Sequence, residues 1–259
     1  MNIYLLAVLI VGGTLTFTAG GVLIFRPIVR RYLGSSHNEV MISLFGAAGV
    51  IYAVLLGFLV VVVWESYDGA HQNLGQEAAT LVPLYRLTYG MEAQEGAKFR
   101  TLIRQYAHAV IDDEWPQMGA VPTGSAKARR AIGAIDHMFA TMDRATKAAD
   151  AQVDGEFLDL KSVVVADRNQ RLLKATDTIP WVMWLGAVGG GVIVIFMSFL
   201  IYMERAQPHV VMASFMGALV GLLLFIMAAM SNPFTGPLAL SADHFRQALA
   251  IMDDDDRGD

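Results

Sequence analysis

Residues 44–64 read LFGAAGVIYAVLLGFLVVVVW, without one charged side chain. A helix needs about 20 predominantly apolar residues to cross the hydrocarbon core of a bilayer. Leu44–Trp64 meets that need, and Trp64 stands at its end, where an amphipathic ring favours the headgroup zone. The same test selects Ile3–Phe25, Trp181–Met203 and Val210–Met230, none of which contains Asp, Glu, Lys, Arg or His. A buried helix of a soluble protein rarely lacks charge over so long a run, so all four stretches are expected to span a membrane. Tyr4, Tyr67, Trp181, Trp184 and Tyr202 also fall near span ends. No positive n-region precedes the first span, which therefore reads as an uncleaved helix and not as a signal peptide.

Composition agrees. Of 259 residues, 55% are hydrophobic and 17% charged, whereas a soluble domain averages about 45–50% and about 25%. The net charge of −5 offers no basic footprint for nucleic acid. The absence of cysteine removes thiolate zinc sites, disulfides and cysteine nucleophiles from consideration.

Most of the charge lies between the second and third spans, and this region reads as helical. Glu65–Tyr89 looks like a continuation of the second span, with Leu74, Ala78, Leu81, Tyr85 and Thr88 on one face and Gly90 as a stop. Phe99, Leu102, Ile103, Tyr106 and Val110 form a second apolar face that ends near Trp115–Pro116. A break follows over Val121–Ser125, with Ser125 placed to cap a helix carrying Ile132, Ile135, Met138, Phe139 and Met142. Asp154–Ala175 is a fourth helix with Phe157, Leu160, Val164, Leu172 and Leu173 inward, and Pro180 marks the junction with the third span. Beyond the fourth span, Asn232–Gly236 ends the helix, with Phe234 as an interfacial anchor. Phe245, Leu249 and Met252 then give a short amphipathic helix before the acidic run Asp253–Asp256, which reads as solvated. The predicted fold is an all-α membrane protein with four transmembrane helices and a helical extramembrane domain between the second and third. Its divisions are 1–64, 65–180, 181–231 and a tail over 232–259.

Each span carries small residues at four-residue spacing: Gly12, Thr16 and Gly20; Gly49, Ala53 and Gly57; Gly186 and Gly190; Ala213, Gly217 and Gly221. Membrane helices pack through such stripes. Packing within one chain is the plainer reading, and packing between subunits is the other.

Arg26, Arg30 and Arg31 in the first short connection, and Arg205 in the last, favour the cytoplasm for both short loops. The middle domain is then expected on the extracytoplasmic side. Lys161, Arg168, Arg171 and Lys174 argue the other way, but long loops translocate largely regardless of charge.

Chemistry is sparse. His108 and Asp112 share a helix face, with Asp113 and Glu114 following, but no second His stands at ligand spacing, and a solvated face is the plainer account. There is no G-x-S-x-G elbow and no phosphate-binding glycine loop with its lysine. No catalytic set, metal site or cofactor is expected. The spans lack the ionisable groups on which proton relays depend, yet a pore lined by small and apolar side chains needs none. Around an axis of second-span helices, Tyr52, Gly57, Val61 and Trp64 are the pore-side candidates. Glu65 and Asp68 would ring the mouth. Interfacial anchoring, with salt bridges from these acids or Glu77 to Arg168 or Arg171, is the plainer alternative.

Four stretches together resemble the bacterial bestrophin-like family: FGAAGVIYAVLLGFLVVVVWESYDGA (Phe45–Ala70), QEAATLVPLYRL (Gln76–Leu87), RQYAHAVIDDEWP (Arg104–Pro116) and NPFTGPLALSADHF (Asn232–Phe245). The resemblance implies four spans and a helical domain between the second and third. More remotely, it points to bestrophins, pentameric chloride-permeable channels whose second-span helices line an apolar neck. Asn232–Pro233–Phe234 matches an asparagine-proline-phenylalanine stretch there, but Thr235, Gly236 and Pro237 stand where those proteins carry an acidic cluster. A bestrophin keeps its large domain in the cytoplasm, against the arginine bias here. The favoured expectation is a homo-oligomeric, channel-like protein of a bacterial inner membrane, in contact with lipid, itself and possible permeating ions. The alternative is an envelope sensor or scaffold whose helical domain binds a partner.

Overall fold

The computed structural model describes residues 2–33, 37–118, 124–141 and 148–258, apart from the side chains of 139, 141 and 148–151. Helices make up the architecture, with no strand among the described residues. In chain order they are α1 (Ile3–Ala7), α2 (Gly13–Tyr32), α3 (Asn38–Leu87), α4 (Ala93–Ala109), α5 (Ala126–Thr141), α6 (Ala148–Thr176), α7 (Trp181–Phe199), α8 (Ala206–Met230) and α9 (Asp243–Arg257). A π-helical turn, Val8–Gly12, joins α1 to α2. Four helical stretches are long and apolar enough to cross a membrane: Ile3–Tyr32, Asn38–Gly90, Trp181–Phe199 and Ala206–Met230.

The chain forms two units. The first takes the chain up to Tyr67, Thr178–Asn232 and Gly236–Leu238; the second takes Asp68–Asp177, Pro233–Thr235 and the chain from Ala239 onward. Helix α3 contributes to both.

In the first unit, the stripe on α8 packs against α2. A Cβ at Gly217 would lie 2.9 Å from Thr18 Cβ, and one at Gly221 would lie 3.1 Å from Val11 Cα. Only a missing side chain permits that approach, which in lipid supplies the van der Waals contact that burial from water supplies elsewhere. Thr14, Thr16 and Thr18 donate their hydroxyls to carbonyls one turn back, so these three hydroxyls are satisfied within the helix. Between α3 and α7, the Tyr52 ring packs against the glycines of α7; a Cβ at Gly190 would lie 2.6 Å from it. Its hydroxyl donates to the Ala187 carbonyl at 2.9 Å. Leu56, Leu59 and Val63 extend the same face of α3 into the core with Val194, Phe199 and Met227. Phe25 stacks on Phe199 with centroids 5.7 Å apart.

In the second unit, the apolar periodicities hold. Leu74, Ala78, Leu81, Tyr85 and Thr88 are buried, as are Phe99, Ile103, Tyr106 and Val110. Helix α3 gives way to a 3-10 turn over Thr88–Gly90. A π-helical turn, Val110–Glu114, and a 3-10 turn, Trp115–Gln117, close α4. Ser125 Oγ accepts from Lys127 N at 3.1 Å, capping α5 as expected. Ile135 and Phe157 face inward. Of the remaining expectations here, Val121–Thr123, Met142 and the Phe139 side chain lie outside the described residues. Leu173 is a correction: it is 69% exposed, while Leu172 is buried. Neighbours on a helix point about 100° apart, and Arg171 with Leu172 takes the inner side.

Candidate functional site

Helix α3 is a single run of 50 residues, and its two sides differ. Tyr52, Leu56, Leu59 and Val63 recur at three- and four-residue spacing on the packed side. Gly57, Val61 and Trp64 lie on the opposite side, all exposed in the protomer, with Val50 and Val54 continuing the stripe. The six residues singled out from sequence are therefore divided. Tyr52 is held inside the protomer by Ala187, and its ring occupies the space above the α7 glycines. Glu65 is exposed, and Asp68 is half-buried, accepting from Gln72 Nε2 at 2.5 Å.

The small-residue stripes divide the same way. The α8 stripe is occupied by α2, and Gly190 by Tyr52. Around Gly46, Gly49 and Gly57 of α3, and Gly12 and Gly20 at the first span, nothing stands within 4 Å of where a Cβ would be. Half of the glycine pattern thus serves the protomer, and half faces outward.

The strongest polar site lies in the second unit, around Arg171, whose side chain is fully buried. Its Nε donates to Glu77 Oε2 at 2.7 Å, and its Nη2 donates to Glu77 Oε1 at 3.0 Å and to Glu114 Oε2 at 2.7 Å. Arg168 Nη2 donates to Glu114 Oε1 at 2.5 Å, and Tyr106 Oη donates to Glu77 Oε1 at 2.5 Å. The backbone N of Ser125 reaches Glu114 Oε1 at 2.8 Å. The rings of Trp115 and Phe245 lie 5.9 and 5.7 Å from the Arg171 guanidinium carbon. Gly124 sits at φ 66°, in the left-handed region, and a Cβ there would run into Glu114 Oε1 and Arg168 Nη2.

Two carboxylates and two guanidiniums balance in charge here. Burial opposes the charge on Glu114, but Arg171 and Arg168 outweigh it and hold the carboxyl below its usual range. Burial, then Glu77, drives the Tyr106 hydroxyl well above its ordinary value, so it stays a donor. Burial raises Asp167, with Glu77 adding to the effect. Every carboxylate oxygen of Glu77 and Glu114 accepts at least one hydrogen bond within this network. Among the described residues no group of three or more His, Asp or Glu could hold a metal ion.

Sequence reasoning reached one part of this centre, a pairing of Glu77 with Arg168 or Arg171, and missed Glu114. Read with Asp112 and Asp113 as a solvated face, Glu114 is in fact 1% exposed. The signal was its spacing: four residues after Val110, it continues the apolar face of Phe99, Ile103 and Tyr106. His108 and Asp112 do share a face, 3.8 Å apart and exposed, beside an open groove of about 520 Å³ that Lys127 and Arg130 also line.

The tail needs two corrections. Phe234 is buried, with its ring 5.9 Å from that of Trp115, and is no lipid anchor. The acidic run is the ordered end of α9. Arg86 grips Asp255 through two bonds of 2.8 and 2.9 Å. Arg104 pairs with Asp253 and with Asp256, the latter at 2.7 Å. Tyr85 and Tyr89 donate to Asp256 at 2.8 and 2.6 Å. Burial of Phe245, Leu249 and Met252 seats the helix, and Gly258, at φ 79°, ends it.

The bestrophin-like domain family matches residues 12–245. The fold is similar to that of a bacterial bestrophin homologue from Klebsiella pneumoniae, crystallised as two point mutants. One gives a TM-score of 0.71 at 11% identity, covering 96% of this chain and 99% of that one. The other gives 0.67 at 11% identity, covering 93% and 98%. A crystal structure described as a membrane protein gives 0.65 at 12% identity, over 93% and 98%. No curated protein matches.

Proposed function

The chain belongs to the bestrophin-like family, and from that premise we propose that it is a homo-oligomeric, ion-conducting membrane protein with α3 helices gathered around a shared axis. The observation that carries this reading is the open side of α3. Gly46, Gly49 and Gly57 have empty space around them in the protomer, although membrane glycines earn their place by close helix packing. A second copy fills that space. Gly57, Val61 and Trp64 then face the axis or the neighbouring α3, and the constriction is apolar, of the kind that gates by dewetting. Glu65 and Asp68 set the charge at the mouth. Tyr52 takes a packing role. The likeness to bestrophin homologues extends over nearly the whole of both chains and supports the same arrangement. The setting is a bacterial inner membrane. The arginines of the short loops support an extracytoplasmic second unit.

The deciding experiment is the stoichiometry of the purified chain in nanodiscs, by mass photometry or cryo-EM class averages. A symmetric ring of several subunits is expected. A monomer or dimer would leave no axis to conduct through and would favour the scaffold reading, in which the second unit binds a partner.

A further inference from the structure

Within the second unit, the seam between α3 and α9 brings two histidines together. His71 is on α3, and His244 is the second residue of α9. Their ring centroids lie 5.3 Å apart, with the ring planes at 65°. Ala70 and Leu74, around His71, are buried, and so are Ala242 and Phe245, around His244. Packing therefore fixes the backbone at both positions. The rings themselves stay within reach of water, since His71 is exposed and His244 half-buried.

The edge that His244 presents is the one that bears nitrogen. Gly75 stands one turn after His71 on the same face of α3. A Cβ at Gly75 would lie 4.0 Å from His244 Cε1. Cε1 sits between the two ring nitrogens, and turning the ring over exchanges it with Nε2, so a nitrogen stays at that edge. Neither imidazole has a hydrogen bond or ion pair among the described residues. The acids next to them are committed: Asp68 accepts from Gln72, and Asp243 accepts from Ser241 and Arg246.

We propose that His71 and His244 together bind one divalent cation of the zinc class. Zinc stands about 2.0–2.1 Å from an imidazole nitrogen, so two rings on one tetrahedral ion have centroids about 5 Å apart, the spacing found here. Imidazole suits Zn2+, Cu2+ and Ni2+, whereas Ca2+ and Mg2+ call for oxygen. Water completes the coordination, because no third protein ligand joins the pair among the described residues. The ion clips the start of α9 to α3. The other end of α9 already has such ties, from Arg86 to Asp255 and from Tyr85 to Asp256. The site does not depend on ion conduction.

The test is calorimetric titration of the metal-stripped, tag-free full chain with Zn2+, for wild type, His71→Ala, His244→Ala and, as a control, His108→Ala. Wild type should bind one Zn2+ per chain. Loss of a residue that merely orients a ligand costs about 10–100-fold in affinity, so each of the first two substitutions should weaken binding at least about tenfold. His108→Ala should bind as wild type does. His71 is exposed, so its removal keeps the test valid if His244→Ala misfolds. Cu2+, which binds such ligands more tightly, gives a second reading: its paramagnetic resonance should show two coupled nitrogens in wild type and one in either variant. Absence of zinc binding, or unchanged affinity in His71→Ala, overturns the proposal. Displacement of Zn2+ by excess Ca2+ also overturns it, in favour of a carboxylate site.

Discussion

Arg171 and Glu77 form a two-bond ion pair, at 2.7 and 3.0 Å, in which neither side chain reaches solvent. The pair joins α6 to α3, and Glu114 extends it to the end of α4. Breaking a buried pair costs more than the pair contributes, because the survivor stays charged and desolvated. Arg171→Met is therefore expected to destabilise the protein by about 3–5 kcal/mol. Adding Glu77→Gln, which removes the stranded charge and keeps an acceptor for Tyr106, should recover part of that loss. Thermal melting of both variants checks it; an unchanged midpoint for Arg171→Met would show the network to be dispensable.

The two classes of glycine should behave differently. Gly221→Leu meets the backbone of Val11 and should cost about 1–3 kcal/mol through overpacking. A Cβ at Gly57 meets nothing within 4 Å in the protomer, so Gly57→Leu should act chiefly on assembly. Melting curves paired with mass photometry separate the effects. Equal destabilisation without any change in oligomeric state would count against an inter-subunit role for α3.

If copies of α3 line an axis, bulk or charge on its open side alters current. Gly57→Trp should reduce single-channel conductance, and Val61→Asp should change both conductance and ion preference. Planar-bilayer recordings read each. Identical currents in both variants and wild type would remove the axis from α3.

The seat of α9 is expected to depend on pH. Burial works against charge on Asp256, but its bonds to Tyr89, Tyr85 and Arg104 prevail and lower its pKa; the bond from Arg86 lowers that of Asp255. Both folded values lie below the ordinary 3.8, so the stabilisation is complete above that pH and is lost as pH falls through the lowered values. Hydrogen exchange of the α9 amides, corrected for intrinsic rates, should show protection at neutral pH that falls in acid below about pH 4. Arg104→Gln should bring that loss to higher pH.

Orientation is open to direct chemistry in a chain without cysteine. Lys127 is exposed, so Lys127→Cys should react with an impermeant maleimide in intact spheroplasts if the short-loop arginines face the cytoplasm. Labelling only after lysis would place the second unit in the cytoplasm.

The all-helical membrane fold was legible because its signals are local. Leu44–Trp64 announces a span by length and absence of charge, and Leu74, Ala78, Leu81 and Tyr85 announce a buried face by their period alone. Such patterns follow from the cost of bare backbone in lipid and from 3.6 residues per turn, and neither depends on a distant residue. Ser125 as a cap and Gly90 beyond the end of α3 were readable for the same reason.

Partnership was legible only for Glu77 with Arg168 or Arg171, of which Arg171 is the partner. A formal charge in sequence carries no sign of whether it is solvated, so Glu114 looked like its neighbours Asp112 and Asp113, and Asp253–Asp256 looked like a loose tail. Tertiary structure turned the first into half of a buried network and tied the second to Arg86 and Arg104. It also separated Tyr52 from Gly57, Val61 and Trp64, and the glycines that α2 and Tyr52 occupy from those left open. The sequence by itself determined which segments enter the bilayer and which helices bury a face, since hydropathy and period are properties of a segment. Which charges pair, and which glycines still await a neighbour, depends on contacts between residues as far apart in sequence as Tyr85 and Asp256 or Val11 and Gly221, and only the folded chain decides those.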